Sequence, residues 1–180
     1  ERLVEALKSN PVRVHLSRTV RYTRQVFEYL KGLETPATRT LVESLYTDGG
    51  LLEGPLVQQS QVPDEKVVNE VDRIIGGWLA QNLCSPEEIL LLSRHGRRGK
   101  GSLANISSLA GIPVVDYLEQ KPGCICRSSV NKAKGLDSRA VILIDFPIFE
   151  SLDDSGYELS FFMGASRARQ LLAIVALEQA

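Results

Sequence analysis

The sequence predicts an α/β domain with a mostly parallel sheet and helices on both faces. Three observations lead there. Two short runs, Ile89-Leu90-Leu91-Leu92 and Val141-Ile142-Leu143-Ile144, are apolar on both alternating faces, as a central parallel strand requires. Segments with helical spacing of apolar residues lie between the strand-like runs, and that alternation is the signature of an α/β sheet. The 180 residues are 43% hydrophobic and 24% charged, an ordinary globular composition. A chain of this size buries roughly 70% of its unfolded surface and needs no staples.

Each element has its own reason. Residues 12–16 form a weak strand candidate. Residues 23–33 place Val26, Phe27, Leu30 and Leu33 on one helical face. Residues 40–60 are the most irregular part, with Gly49-Gly50 and Gly54-Pro55 as loop punctuation. Residues 65–83 put Val67, Val71, Ile74, Ile75, Trp78 and Leu79 on one face, with Gly76-Gly77 a weak point. Ser85-Pro86-Glu87-Glu88 is a turn before the strand at 89–92. Residues 102–109 are expected to be helical and to stop at Gly111. Residues 113–115, 125–130 and 171–175 are further strand candidates. The strand at 141–144 ends at Asp145 and is stopped by Pro147. No repeat and no low-complexity tract interrupts what reads as one domain.

The net charge of −1 hides four blocks, +4 over residues 1–39, −7 over 40–88, +6 over 89–142 and −4 over 143–180. They are either solvated faces of mixed sign or, where the fold joins the two basic blocks, a local anion site. No segment approaches the ~20 apolar residues of a membrane span, and no secretory leader is evident, so a cytoplasmic location is expected. Cys84, Cys124 and Cys126 match no zinc or redox spacing. They read as small reduced hydrophobes, the last two on one strand face, and only His15 and His95 could complete a metal site.

Three segments could carry chemistry. Arg94-His95-Gly96-Arg97-Arg98-Gly99-Lys100-Gly101-Ser102 looks like a phosphate loop, but Gly101 separates Lys100 from the serine that would hold Mg²⁺. It reads as a solvated basic loop or as a surface for nucleic-acid phosphates. Residues 129–137, Ser-Val-Asn-Lys-Ala-Lys-Gly-Leu-Asp, form a polar turn between two strands that can meet phosphate and sugar hydroxyls. Residues 163–169, Met-Gly-Ala-Ser-Arg-Ala-Arg, read as a helix end feeding the last strand. Arg167 and Arg169 are two apart and cannot share a helix face, so one can address a ligand while the other pairs structurally.

Taken in order, these residues resemble the second RecA-like domain of superfamily 1 DNA helicases of the UvrD/Rep type. Leu16-Ser17-Arg18-Thr19-Val20-Arg21-Tyr22-Thr23-Arg24-Gln25-Val26 is similar to the family's motif IV. Ser129 to Asp137, before an apolar strand, is similar to motif V, and Ser166-Arg167-Ala168-Arg169 to motif VI. The resemblance implies a RecA-like three-layer sandwich over residues 1–180, without the first RecA-like domain and without the large accessory insertion. It implies that Arg21 and Arg167 reach the γ-phosphate of ATP across a cleft. A guanidinium so placed is worth ~10³–10⁵ in turnover in phosphate-loop enzymes. It places Gly135 and Asp137 near the nucleotide sugar and phosphates, and Ser129 and Asn131 near the backbone of single-stranded or forked DNA. ATP and Mg²⁺ would be bound mainly by the first RecA-like domain.

The departures are informative. Val20 stands where the family has an aromatic that stacks on adenine, and Thr19 replaces Asn, Asn131 His, Ser166 Thr and Asp137 Glu. The sequence has no complete phosphate loop and no apolar strand ending in Asp-Glu. The expectation is therefore a piece of a longer helicase or translocase, silent alone. The alternative is a degenerate helicase-like domain that binds nucleic acid or protein without hydrolysing ATP.

Overall fold

The computed structural model describes residues 21–45, 51–95, 101–102, 106–149 and 155–178. Residues 12–16, Thr19, Val20 and His15, and the centre of the basic loop at 96–100, lie outside the described residues. The elements are α1 (Arg24–Gly32), α2 (Arg39–Glu43), β1 (Gln58–Val62), α3 (Val67–Ala80), β2 (Ile89–Ser93), β3 (Ser108–Leu109), β4 (Ile112–Asp116), β5 (Ile125–Ser129), β6 (Ser138–Phe146), α4 (Ser155–Ala165) and β7 (Ala168–Leu177).

The strands form one seven-stranded sheet in the order β1-β7-β6-β2-β5-β4-β3. Every pairing is parallel except the two-residue β3–β4 ribbon at the edge. β2 and β6 lie at the centre, in register from Ile89↔Ala140 to Ser93↔Ile144, and both are buried along nearly their whole length. That is the two-sided burial their apolar runs require.

Two cores sandwich the sheet. On one face α1, α2 and α4 contribute Val26, Leu30, Val42, Phe161 and Phe162 against Leu90, Leu92, Val141, Leu143, Leu172 and Ile174. On the other, α3 contributes Val71, Ile74, Ile75 and Trp78 against Ile89, Leu91, Ile125, Ile142, Ile144 and Val175. Strand residues switch face at each step because the side-chain period is two. This is the RecA-like three-layer arrangement expected.

One expectation needs correction. The reading of 102–109 as a helix fails at its described end: residues 106–107 are not helical, and Ser108 and Leu109 pair antiparallel with Pro113 and Ile112. The turn between uses Ala110 and Gly111 at φ 48° and 74°, and the Ala110 N–H donates to Asp72 Oδ1 at 2.5 Å. Gly76-Gly77 do not break α3, which runs through them. The helix is held by burial of its apolar stripe, and that outweighs the ~1 kcal/mol propensity cost of each glycine. The irregular 40–60 stretch also contains α2 and the start of β1.

Candidate functional site

Parallel strands place all their N-termini along one edge of the sheet. Three of the six residues singled out above meet there. Arg21 Nη2 lies 2.5 Å from Asp137 Oδ1, and Arg167 Nη1 lies 3.5 Å from the same oxygen. Local structure explains each position. Gly135, at φ 84°, turns the chain in the left-handed region where only glycine is unstrained, and delivers Asp137 to the start of β6. Arg167 occupies the turn between α4 and β7; its Nε donates to Met163 O at 3.0 Å, and its own carbonyl accepts the Ser138 N–H at 3.0 Å. The segment 21–24 is laid against the start of β7. The Thr23 N–H donates to Arg169 O at 2.9 Å and its hydroxyl to Gln170 O at 3.3 Å. The Tyr22 hydroxyl and Arg21 Nη2 both reach Ser166 O, at 3.3 and 3.2 Å.

The cluster is half open. Arg21 retains 40% of its side-chain exposure, Asp137 34% and Arg167 21%. Two guanidiniums share one carboxylate, so the edge keeps a positive surplus facing solvent. Burial pushes the Tyr22 phenol above its ordinary range, with the nearby arginines opposing.

Ser129 and Asn131 are elsewhere. Ser129 ends β5 at the opposite edge, where it pairs with Ser93 of β2. Residues 130–137 then return across the face of the sheet, with Val130 and Ala133 buried in the first core. About six strand residues, roughly 20 Å, separate Ser129 from Asp137. Asn131 is exposed in the turn that follows Ser129.

That opposite edge holds a feature the sequence reading missed. Asp145 is 2% exposed and sits at φ 64° at a bulge between Ile144 and Phe146. Its Oδ2 accepts from the Ser93 hydroxyl, and Ser93 Oγ accepts the His95 N–H at 2.9 Å. Its Oδ1 accepts the Ser102 N–H at 3.2 Å, with Ser102 Oγ at 2.6 Å. Both stems of the basic loop are thus tied to one buried carboxylate. Gly101 fits because a Cβ there would lie 2.9 Å from Asp145 Oδ2.

The N-terminal edge also contains more than the motifs indicated. An open polar pocket of about 310 Å³ adjoins the cluster, lined by Arg21, Glu88, Arg139, Arg169 and Gln170. Among the described residues, no group of His, Cys, Asp and Glu could hold a metal ion. No helix among them is long and apolar enough to cross a membrane.

No model of a protein family and no curated protein matches the chain. Among solved structures, it is similar to the C-terminal domain of a possible DNA helicase from Lactobacillus plantarum WCFS1. The match has a TM-score of 0.60 and 17% identity, over 88% of each chain. At that identity the likeness concerns the fold.

Proposed function

We propose that this chain is the second RecA-like domain of an ATP-driven helicase or translocase of the superfamily 1 type. In this reading its N-terminal sheet edge is the far wall of an ATP cleft whose near wall, with phosphate loop and Mg²⁺, belongs to a first RecA-like domain. One observation carries it: Arg21 and Arg167, distant in sequence and singled out for the same role, converge on Asp137. The likeness to a helicase C-terminal domain supports it independently.

The chemistry follows from charge. As a γ-phosphoryl group leaves, negative charge spreads over its oxygens, and preorganised guanidiniums lower that energy without reorganising. Asp137 spaces the two arginines and fixes their direction. When the cleft closes on ATP, phosphate oxygens compete with Asp137 for both. Gly135 and Asp137 then sit beside the nucleotide. Ser129 and Asn131, on the opposite edge, meet the single-stranded backbone, so closing and opening of the cleft moves strand and domain together.

The test uses the full-length parent. Arg21→Ala and Arg167→Ala should each lower DNA-stimulated ATP hydrolysis by about 10³-fold or more, with strand binding retained. Unchanged hydrolysis in both variants would support the second reading, a helicase-like binding module. What favours that alternative is that the Arg21–Asp137–Arg167 cluster is already paired within the chain.

A further inference from the structure

The pairing of β6 with β7 is regular except at its two ends. At the N-terminal end, Ser138 pairs with Ala168 and Ala140 with Leu171. One residue of β6, Arg139, therefore faces two of β7, Arg169 and Gln170. A bulge of this kind breaks the alternation of side chains and re-aims them, and bulges gather next to functional sites. Here all three bulge residues line the 310 Å³ pocket, together with Arg21 and Glu88.

The bulge is held from outside the sheet. The two carbonyls that it exposes, of Arg169 and Gln170, accept from the backbone and hydroxyl of Thr23, and this brings Arg21 to the pocket wall. Arg139 is aimed by two acceptors, Gln170 Oε1 at 2.7 Å from its Nε and Glu88 Oε2 at 3.4 Å from its Nη1. Glu88 is itself fixed by the Ser85 N–H at 2.9 Å, in a capping box ahead of β2. Arg169 is different. Its side chain is exposed, and among the described residues no hydrogen bond or ion pair engages it.

Arg21 is paired with Asp137 and Arg139 with Glu88, so Arg169 leaves a positive surplus in a concave site. Small-molecule pockets are ordinarily apolar with a few polar groups. This lining is polar throughout, which suits a multiply charged anion with no apolar body. Arginine forks match phosphate oxygens two at a time.

We propose that the β6–β7 bulge builds an oligophosphate site in which Arg139 and Arg169 grip a phosphate chain, beside the Arg21–Asp137–Arg167 cluster, with Arg21 common to both. Within the motor reading it would hold the part of the nucleotide's phosphate tail that Arg167 does not reach. It does not depend on that reading, because a free oligophosphate has the same chemistry.

Calorimetric titration of the 180-residue chain with sodium tripolyphosphate at low salt tests it. Saturable binding is expected, weakened about tenfold or more by Arg169→Gln, whose exposed side chain, unengaged among the described residues, leaves the fold intact. Arg139→Lys should weaken it similarly. Arg167→Gln, in the neighbouring cluster, should weaken it less than Arg169→Gln does. Displacement of tripolyphosphate by ATP identifies a nucleotide tail as the ligand, and failure of ATP to displace it identifies free oligophosphate; both uphold the site. No binding to the wild-type chain overturns it. So does an Arg167→Gln effect as large as that of Arg169→Gln, because the anion would then belong to the neighbouring cluster. Arg169-dependent binding, with hydrolysis by the parent indifferent to Arg21 and Arg167, would leave the pocket standing and the motor reading not.

Discussion

Cys84 shows how much a single residue's surroundings decide. It lies 8% exposed beneath α3, and burial, helped by the Glu88 charge, pushes its thiol up to about 11. Burial also raises Cys126, next to Cys124, and Tyr22. Free thiols at these positions act as small hydrophobes, as their spacing implied. For a thiol whose folded pKa lies above the unfolded one, the stability contribution is full below the unfolded value of about 8.5. It is lost as pH rises through the folded value. The chain should therefore be less stable to urea at pH 10.5 than at pH 8. Cys84→Ala should lower stability at both pH values through its cavity yet shrink the difference between them. A difference as large in the variant as in the wild type would remove Cys84 from the account. Glu88 behaves oppositely. The Ser85 N–H, then Arg139, hold its carboxyl below the usual range, so its contribution is present at neutral pH and fades as pH falls through that lowered value.

At the scale of elements, contact space separates glycines that look alike in the sequence. Gly164 faces β6 from α4, and a Cβ there would lie 2.6 Å from Leu143 Cδ2 and 3.1 Å from Val130 Cγ2. Gly164→Ala should destabilise by about 1–3 kcal/mol, the usual cost of overpacking a core. Nothing lies within 4 Å of a Cβ at Gly76, inside α3. Gly76→Ala should stabilise by about 0.5–1 kcal/mol, and urea midpoints of the two variants should move in opposite directions. The same contrast explains what the sequence revealed. β2, β6 and β7 were legible because two-sided burial leaves unbroken apolar runs. β1 was not: as an edge strand it reads Gln-Gln-Ser-Gln-Val, largely exposed, with no hydrophobic pattern to find. The 108–109 strand was taken for helix because two residues carry no period. Arg21, Arg167 and Asp137 could be brought together from ordered motifs. Arg139 and Gln170 could not, because a bulge is a fact of register between strands, and register does not appear in either strand alone.

For the whole molecule, the two sheet edges differ in charge and lie far apart. The N-terminal edge carries the arginines of both the cluster and the bulge pocket; the opposite edge carries Ser129, Asn131 and the stems tied by Asp145. About 20 Å of central strand, buried on both faces, joins them, so a push on one edge reaches the other through a rigid element. In the proposed motor reading, that geometry would convert cleft motion into strand motion only when something closes on the N-terminal edge. Phosphoryl transfer also needs a cradle for the β- and γ-phosphates, a bound Mg²⁺ and an oriented water. Arginines alone stabilise charge that nothing here has begun to move. The isolated chain should therefore show no DNA-stimulated ATP hydrolysis at any ATP concentration. Addition of a separately produced first RecA-like domain from the parent should restore hydrolysis, and Arg167→Ala should prevent that rescue. Turnover by the isolated chain that disappears with Arg167→Ala would mean that both walls of the cleft lie within these 180 residues, and the division of labour between two domains would have to be abandoned.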